Sequence, residues 1–331
     1  MQDNTNPVVS VIIPNYNHAP YLKQRINSIL QQTYKNFELI ILDDCSTDNS
    51  RDIINRYAGR NACIRTYFNQ HNSGSTFKQW NKGVRLARGE YIWIAESDDY
   101  AEEHFLEKML PTLHHHPDVG MIYCMSYKVN EYNKIIGDAM PRDNENINPN
   151  RWKTNFMNKG VHECAEVMIF KNVIANASGL LFRKETFMQC GGAEESLKLC
   201  GDWFTYVKML KLTDVAYVAE YLNYFRVHSH TVRKKRSFSS LEAIWERFQV
   251  LRYVVANFEI SKENHVKALV KLITDFFRQK ENITLLKQER KKWEEFVHHL
   301  RKHSIRGRLI MELLHWTGKK IIKRVNLLLK K

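Results

Sequence analysis

The segment VVSVIIPNYN, at residues 8–17, decides the fold together with FELIILDD, at residues 37–44. Residues 8–13 form a short, mostly apolar, β-branched run and residues 37–42 a second, mostly apolar run, which is typical of strands buried on both faces. Between them, residues 21–32 place Leu22, Ile26, Ile29 and Leu30 at helical spacing. A strand, a helix and a second strand of this kind form a right-handed βαβ unit, so we predict a parallel sheet.

The alternation of strand and helix patterns continues to residue 95. Ser46 and Thr47 are candidate N-caps for a helix that ends near Tyr57. Residues 63–68 and 91–95 have the composition of strands, and residues 77–87 between them favour a helix. Further strand-like runs occupy residues 176–182 and 214–225, and the chain after Ser239 has helical patterns to its end.

These patterns predict an α/β fold, a Rossmann-like, mostly parallel sheet with helices on both faces, followed by a helical extension. We place the domain boundary between residues 1–238 and residues 239–331. No run of about 18 apolar residues occurs, which argues against a spanning helix, and the polar N-terminus lacks an export signal. Six scattered cysteines without a C-x-x-C pair favour free thiols in a reducing cytoplasm.

Polar residues follow three of the expected strands. They are Asn15-Tyr16-Asn17, Asp43-Asp44 and Glu96-Ser97-Asp98-Asp99. Ligands of parallel α/β sheets bind at the carboxyl ends of the strands, so these clusters predict a binding site. The glycine patterns of dinucleotide-binding turns and of P-loops are absent from the sequence, which removes the main support for an oxidoreductase or a P-loop enzyme.

The same segments resemble family 2 glycosyltransferases, which have the GT-A fold. The similarity rests on motifs in the family's order: the opening strand VSVIIPNYN (9–17), LDDCSTD (42–48), NSG (72–74) with NKG (81–83), GEYI (89–92) and ESDD (96–99). Later stretches, GDW (201–203) and YFRVHS (224–229), continue the match to about residue 230. The resemblance implies transfer of a hexosyl or hexosaminyl group from a nucleotide-diphosphate donor, a UDP-sugar being favoured, to a hydroxyl acceptor, with inversion.

The resemblance also assigns residues to the donor site. Asp44 matches the family's base-reading Asp, and Pro14, Asn15 and Tyr16 would line the same pocket. Glu96, Ser97 and Asp98 would contact the nucleotide-sugar, with Glu96 standing where the family has Asp. Ser178 would lie near the sugar, and Trp203 would also belong to the nucleotide-sugar site. Lys78 would meet the diphosphate, although an exposed helical lysine is an equally good interpretation of that residue.

A metal site and a base complete the predicted mechanism. A diphosphate is a poor leaving group until its charge is neutralised, and hard oxygen ligands suit Mn²⁺ or Mg²⁺. The resemblance gives the metal to Asp99 first, then to Asp98 and His228. Adjacent acids can also form a solvated turn or a helix cap. Asp202 matches the family's general base, with Gly201 where Glu is common; its alternative is a helix-capping carboxylate.

Net charge is +14, and residues 301–331 hold ten Lys or Arg against one Glu. If residues 318–331 form a helix, Ile321, Ile322, Val325, Leu328 and Leu329 share one arc, with Leu327 outside it. This predicts peripheral attachment to the cytoplasmic face of an anionic membrane. Packing of this stripe on the catalytic domain is the alternative. We expect no nucleic-acid partner. The acceptor expected from the family is a glycan, free or lipid-linked, in bacterial cell-surface polysaccharide synthesis.

Two other functions compete with this prediction. A nucleotidyltransferase also uses an α/β nucleotide pocket and Mg²⁺, but such enzymes open with a Gly-rich phosphate loop that this first strand lacks. A non-catalytic nucleotide-binding protein would keep the pocket without the chemistry. Slow hydrolysis of a UDP-sugar in the presence of Mn²⁺ separates a transferase from a binding protein.

Overall fold

The structure is a computed structural model that describes residues 6–139, 146–228, 241–278 and 295. It divides into two compact units, Met1–Glu163 with Lys171–His228, and Cys164–Phe170 with Ser229–Lys331. Within the described ranges, every helix is too short or too polar to cross a bilayer. The predicted basic tail at residues 301–331 lies outside the described residues.

Four parallel strands form the first half of the sheet. They are β1 (Val9–Asn15), β2 (Phe37–Asp43), β3 (Ile64–Phe68) and β4 (Tyr91–Ile94), in the order β3-β2-β1-β4. The connecting helices are α1 (Ala19–Leu30), α2 (Ser50–Ala58) and α3 (Thr76–Leu86). Every residue of β1, β2 and β4 is buried, as the continuous apolar runs in their sequences require.

The second half of the sheet is mixed. Its elements are β5 (Tyr100–Ala101), α4 (Phe105–His115), β6 (Val119–Val129), β7 (Ile135–Asp138), β8 (Phe156–Asn158), α5 (Gly160–Glu163), β9 (Leu180–Arg183), α6 (Lys184–Gln189), α7 (Gly201–Leu210) and β10 (Asp214–Arg226). The order continues β4-β9-β6-β10-β5, with β9 antiparallel to both neighbours and β6 parallel to β10. The antiparallel strands β5, β7, β8 and β9 have four residues or fewer, too few for the sequence to show an alternation.

The start of α2 corrects the predicted caps. The helix begins at Ser50, so Ser46 and Thr47 belong to the preceding turn. The N-cap residue is Asn49, whose side chain makes no capping hydrogen bond, and Asp48 Oδ1 accepts from Ser50 N at 2.9 Å instead. The other oxygen of Asp48 accepts from Ala19 N at 2.9 Å, which ties the starts of α1 and α2 together. The turn residues Ser46 and Thr47 instead bond the end of β1, at Asn15 and Asn17.

A buried ion cluster fixes the opposite end of the strands. Glu38, 2% exposed, accepts hydrogen bonds from Ser10 Oγ, Arg65 Nη1 and the backbone N of Arg88, each at 2.7 Å. Gly89 passes so close that a Cβ would lie 2.6 Å from Ser10 N. The absence of a side chain at residue 89 therefore lets β4 start directly beside β1.

The second unit contains two long helices in its described part, α8 (Leu241–Asn257) and α9 (Lys262–Arg278). They pack through buried apolar side chains such as Phe248, Val254 and Leu269. Arg247 Nη1 on α8 lies 2.8 Å from Asp275 Oδ2 on α9. Both helices fall where the sequence has helical patterns.

Candidate active site

The carboxyl ends of β1, β2 and β4 lie side by side. Asn15 pairs with Asp43 in the parallel register, and Asp44 N donates to Asn15 O at 2.9 Å. Ala95 N donates to Ile12 O at 2.8 Å, which places the turn after β4 at the same edge. The three polar clusters that the sequence predicted at strand ends are therefore brought together.

Pro14, Asn15 and Tyr16 form the end of β1. The first two are buried, and Tyr16 is 45% exposed. Asn15 Nδ2 donates to Asp43 Oδ2 at 2.9 Å, whereas the buried Oδ1 has no hydrogen-bond partner within the described residues. Asn15 therefore ties the end of β1 to the end of β2. The exposed ring of Tyr16 lies beside it in the chain.

Asp44, the predicted base-reading residue, is 5% exposed and accepts four hydrogen bonds. The donors are Asn69 Nδ2 at 2.6 Å, Ser73 N at 2.9 Å, Ser73 Oγ at 2.8 Å and Gln79 Nε2 at 2.9 Å. An ionised carboxylate accepts about four such bonds. Asp44 therefore holds the loop before α3, a task that the sequence did not reveal.

Lys78, in the first turn of α3, is exposed and lies beside that loop. Its Nζ is 3.4 Å from Ser73 O, at the limit of a hydrogen bond. The ammonium is thus near the loop that Asp44 organises, and the long side chain is free to turn on its exposed stem. Both sequence interpretations of Lys78, a phosphate contact and a surface lysine, agree with this placement.

Asp98 and His228, two of the predicted metal ligands, meet after β10 returns the chain to this edge. His228 Nε2 lies 3.0 Å from Asp98 Oδ2, across 130 residues of sequence. The side chain of His228 is 1% exposed and that of Asp98 is 16% exposed. Burial pushes the pKa of Asp98 upward, but the hydrogen bond from His228 and the nearby histidine charges outweigh it and leave the pKa below its usual value. Asp98 is therefore ionised at neutral pH.

His18 joins this pair, although the sequence reasoning did not select it. Its Nδ1 lies 2.8 Å from the Oγ of Ser97, a predicted donor-site residue. Ligand atoms of His18, Asp98 and His228 all lie within 4.8 Å of one another. Ligands about 2.1 Å from a shared cation are about 3.0 Å apart at right angles and about 4.2 Å apart when opposite. Small side-chain adjustments would therefore let these three residues hold one divalent ion.

Asp99 is turned into the protein. It is 2% exposed, its Oδ2 accepts from Asn176 Nδ2 at 2.7 Å, and its Oδ1 accepts from Arg226 N at 2.8 Å. Burial, followed by the charge of Asp98, raises the pKa of Asp99 to about 7. This placement differs from the prediction, which gave the metal to Asp99 first, because both of its oxygens are occupied by the protein.

Ser178 also lies inside the protein. It is fully buried, its Oγ accepts from Glu96 N at 3.0 Å, and its carbonyl accepts from Trp93 Nε1 at 2.8 Å. Its hydroxyl acts against the rise in the pKa of Asp99 that burial causes. The prediction placed Ser178 beside the donor sugar, whereas the structure places it behind the Glu96–Asp99 turn, where it supports the backbone of that turn.

Glu96 is held by a tryptophan. Trp80 Nε1 donates to Glu96 Oε1 at 2.9 Å, and the Trp80 ring packs edge-on against Phe77 at 5.2 Å. Burial, followed by the charge of Asp98, raises the pKa of Glu96 to about 8. Without a bound cation Glu96 is therefore mainly protonated at neutral pH, so it can both accept from Trp80 and donate.

Arg25 lies beneath the same turn. Its side chain is buried, and its Nε donates to Glu96 O at 2.9 Å. Its two terminal nitrogens have no hydrogen-bond partner within the described residues. Burial lowers the pKa of Arg25 to about 10, while the carboxylates of Asp99, Asp98 and Glu96 oppose that change. The guanidinium therefore supplies positive charge beneath the turn that holds Glu96, Asp98 and Asp99.

Asp202, the predicted base, lies in the first turn of α7. Its Oδ1 accepts from Trp203 N at 2.7 Å, and its Oδ2 lies 3.2 Å from Asn172 Nδ2. The Trp203 ring is 5% exposed and so packs inward. A Cβ at Gly201 would lie 2.4 Å from Phe77, which explains glycine at a position where the family commonly has Glu.

Asp202, the predicted base, and the acidic turn are linked by a continuous set of contacts. Gly201, next to Asp202, touches Phe77, Phe77 packs on Trp80, and Trp80 bonds Glu96. The sequence reasoning missed Phe77, Trp80 and Arg25. The sequence held no local signal for them, since each reads as an ordinary apolar or basic position of a helix.

Comparisons with known proteins point to one family. The family model described as glycosyl transferase family 2 matches residues 10–174. TuaG of Bacillus subtilis (strain 168), which carries the name of a teichuronic acid biosynthesis glycosyltransferase, is 39% identical over 140 residues, 42% of this chain and 52% of that protein. For the first curated relatives, the matched segments span about a third to a half of their length, at 52%, 34% and 41%.

Two solved structures share the fold. S. aureus TarS 1–349 in complex with UDP-GlcNAc has a TM-score of 0.66 at 17% identity, covering 97% of this chain and 90% of that one. The mannosyltransferase PcManGT from Pyrobaculum calidifontis, in complex with GDP-Man and Mn²⁺, has a TM-score of 0.55 at 15% identity, covering 99% and 85%. The chain has the GT-A fold and belongs to glycosyl transferase family 2.

Proposed function

We propose that this chain transfers a sugar from a nucleotide-diphosphate donor to a hydroxyl acceptor, with inversion in a single displacement. The observation that carries the proposal is the meeting of Asp98 and His228, 3.0 Å apart, at the strand edge that also holds Asn15 and Asp44. An ionised carboxylate and a buried imidazole at this edge can hold a divalent cation, and such a cation is what a diphosphate donor needs beside it. Family membership supports the same activity.

The donor set at this edge fits a divalent cation, Mn²⁺ or Mg²⁺. Asp98 and His228 would hold it, because Asp98 is ionised and both side chains are nearly buried. When bound, such a cation neutralises the charge that develops on the diphosphate leaving group. Asp99 keeps a supporting role in this proposal, since Asn176 and Arg226 occupy its oxygens.

Asp202 would act as the general base. An inverting displacement needs one carboxylate that takes the proton of the acceptor hydroxyl, and no protein nucleophile. The amide of Asn172 and the backbone N of Trp203 fix the orientation of the Asp202 carboxylate. Its place at the N-terminus of α7 favours the ionised form, because the helix dipole stabilises negative charge there.

A UDP-sugar is the donor that we propose. A structural neighbour, TarS, is titled as a complex with UDP-GlcNAc, and another, PcManGT, as a complex with GDP-Man and Mn²⁺. The neighbour with UDP-GlcNAc has the higher TM-score of the two, 0.66 against 0.55. The exposed ring of Tyr16, directly after β1, is the group that would meet the base.

The acceptor that we propose is a glycan, free or lipid-linked, in the synthesis of a bacterial surface polysaccharide. The name of the relative TuaG, which refers to teichuronic acid biosynthesis, supports this class. Attachment of residues 301–331 to an anionic membrane surface would bring the enzyme to a lipid-linked acceptor. That attachment stays a prediction from the sequence.

The test is a panel of nucleotide-sugars incubated with the full chain and Mn²⁺, with and without acceptor glycans. We expect release of UDP from one UDP-sugar and loss of release in excess EDTA. Asp98→Asn should lose it as well, whereas His115→Ala, an exposed change on α4, should keep it. Release of pyrophosphate from a nucleoside triphosphate and a sugar phosphate would instead indicate a nucleotidyltransferase, and binding without turnover a non-catalytic protein.

A further inference from the structure

We propose that His18 is a third protein ligand of the cation, and that the resulting pair of imidazoles makes the site prefer Mn²⁺ to Mg²⁺. The inference rests on the proposed function only for the presence of a cation. It adds a residue that neither the family motifs nor the sequence reasoning assigned. The observation behind it is the cluster of ligand atoms from His18, Asp98 and His228 within 4.8 Å.

The position of His18 is fixed by the turn between β1 and α1. On one side, Asn17 N donates to Ser46 Oγ at 2.9 Å, and Asn17 Oδ1 accepts from Thr47 N at 2.7 Å. On the other side, Ala19 N donates to Asp48 Oδ2 at 2.9 Å. The residue between these anchors has little backbone freedom. Such a preformed ligand position lowers the ordering cost of binding a metal.

The ring of His18 is oriented as metal-binding imidazoles are. Ligating histidines commonly engage one ring nitrogen with a neighbouring polar group and leave the other for the metal. The Nδ1 of His18 lies 2.8 Å from Ser97 Oγ, so Nε2 is the nitrogen that we assign to the ion. The ring lies 5.6 Å from that of His228 and nearly perpendicular to it, at 85°. Two imidazoles can therefore approach a shared ion without stacking on each other.

The chemistry of the ligands then sets the choice of metal. Carboxylates, carbonyls and water suit Mg²⁺, whereas imidazole nitrogen favours the later divalent metals. A site with one carboxylate, from Asp98, and two imidazoles is poor in the oxygen ligands that Mg²⁺ requires. Mn²⁺ accepts both kinds of ligand. Removal of one imidazole should therefore weaken Mn²⁺ binding more than Mg²⁺ binding.

The experiment measures metal binding directly, without turnover. The metal-free full chain is titrated with Mn²⁺, with and without UDP, and free Mn²⁺ is followed by its EPR signal; Mg²⁺ affinity is obtained by competition. His18→Ala should bind Mn²⁺ about 10–100-fold more weakly, with a much smaller change for Mg²⁺. His115→Ala is the matched control. Pulsed EPR of the Mn²⁺-loaded chain should detect two coordinated nitrogens in the wild type and one in His18→Ala.

Two further variants separate ligation from a structural role. His18→Gln can still hydrogen-bond Ser97 and should lose the preference for Mn²⁺. His18→Glu returns a ligand of the oxygen type and should restore binding with a preference shifted toward Mg²⁺. Unchanged Mn²⁺ affinity in His18→Ala, with loss in Asp98→Asn, would overturn the His18 assignment and leave the proposed function intact. A third result is that the wild type binds Mn²⁺ through His18, as shown by loss of binding in His18→Ala, and yet turns over no nucleotide-sugar. That result would uphold the metal site and refute the proposed transferase activity.

Discussion

Gly201→Ala tests the contact that links the base to the acidic turn. The added Cβ would lie 2.4, 2.6 and 2.7 Å from three ring carbons of Phe77. Phe77 is 5% exposed and packs on Trp80, which is 3% exposed, so the ring has little room to move. Overpacking of this kind costs about 1–3 kcal/mol, and the gain of Ala over Gly within a helix returns about 0.5–1 kcal/mol. We expect a net loss of about 1–2 kcal/mol.

Thermal unfolding of the full chain measures that loss, and a decrease in Tm of about 2–8 °C is expected. The matched control is Gly59→Ala at the end of α2, where φ is −65° and the Cβ would meet only Asn55 O, at 3.4 Å. That variant should be neutral or more stable by up to about 1 kcal/mol. Phe77→Leu in the Gly201→Ala background should recover part of the loss. A Tm for Gly201→Ala equal to that of the wild type, or strictly additive effects with Phe77→Leu, would refute the reasoning.

Three more outcomes are expected. Asp202→Asn should lower kcat about 10²–10⁴-fold and keep UDP affinity, because the base faces the acceptor; a collapse of UDP binding in the folded variant would assign Asp202 to the donor site. In EDTA, the free energy of unfolding should fall by a few kcal/mol as pH rises from about 4.5 to 8, because Glu96 ionises at a lower pH in the unfolded chain than in the folded one. Glu96→Gln should flatten this dependence on pH, and an identical slope in the wild type and the variant would contradict the assignment. Glu38→Gln removes the buried carboxylate that Arg65 and Arg88 share, and because those two side chains are 30% and 55% exposed it should cost about 1–3 kcal/mol in urea unfolding at pH 7. This advantage of the wild type should shrink as pH falls, because the pKa of Glu38 is lowered in the folded chain; the exposed Glu107→Gln should leave the urea midpoint unchanged within error.

The first half of the sheet could be predicted from the sequence because its strands are buried on both faces. Continuous apolar runs in β1 and β2 leave few alternatives, and the observed strands begin and end within two residues of the predicted runs. Polar residues directly after those strands then located the binding edge. The two-residue strand β5 and the four-residue strand β9 are too short to carry such a signal.

The orientation of adjacent side chains could not be predicted. Asp98 and Asp99 are equivalent in the sequence, and the difference between them comes from Asn176 and Arg226, which are 77 and 127 residues away from Asp99. His18 was missed for the same reason. A lone histidine after a strand can be identified as a candidate ligand only once the fold has placed Ser97 and His228 beside it. The sequence prediction placed Ser178 near the sugar, because nothing in the neighbouring residues indicates that Ser178 is buried behind the turn.

The 130-residue separation of Asp98 and His228 has a consequence for the nascent chain. Synthesis proceeds from the N-terminus at about 5–20 residues per second, so roughly 6–26 s pass between these two residues on the ribosome. During that time β1 to β4 can already pair with one another, while the edge of β4 that later pairs with β9 is still unpaired. The acids after β4 are then present without their histidine partner. The proposed cation site can form only when β10 has left the ribosome, so a chain that stops before residue 228 would carry this strand edge without His228, one of the three proposed ligands.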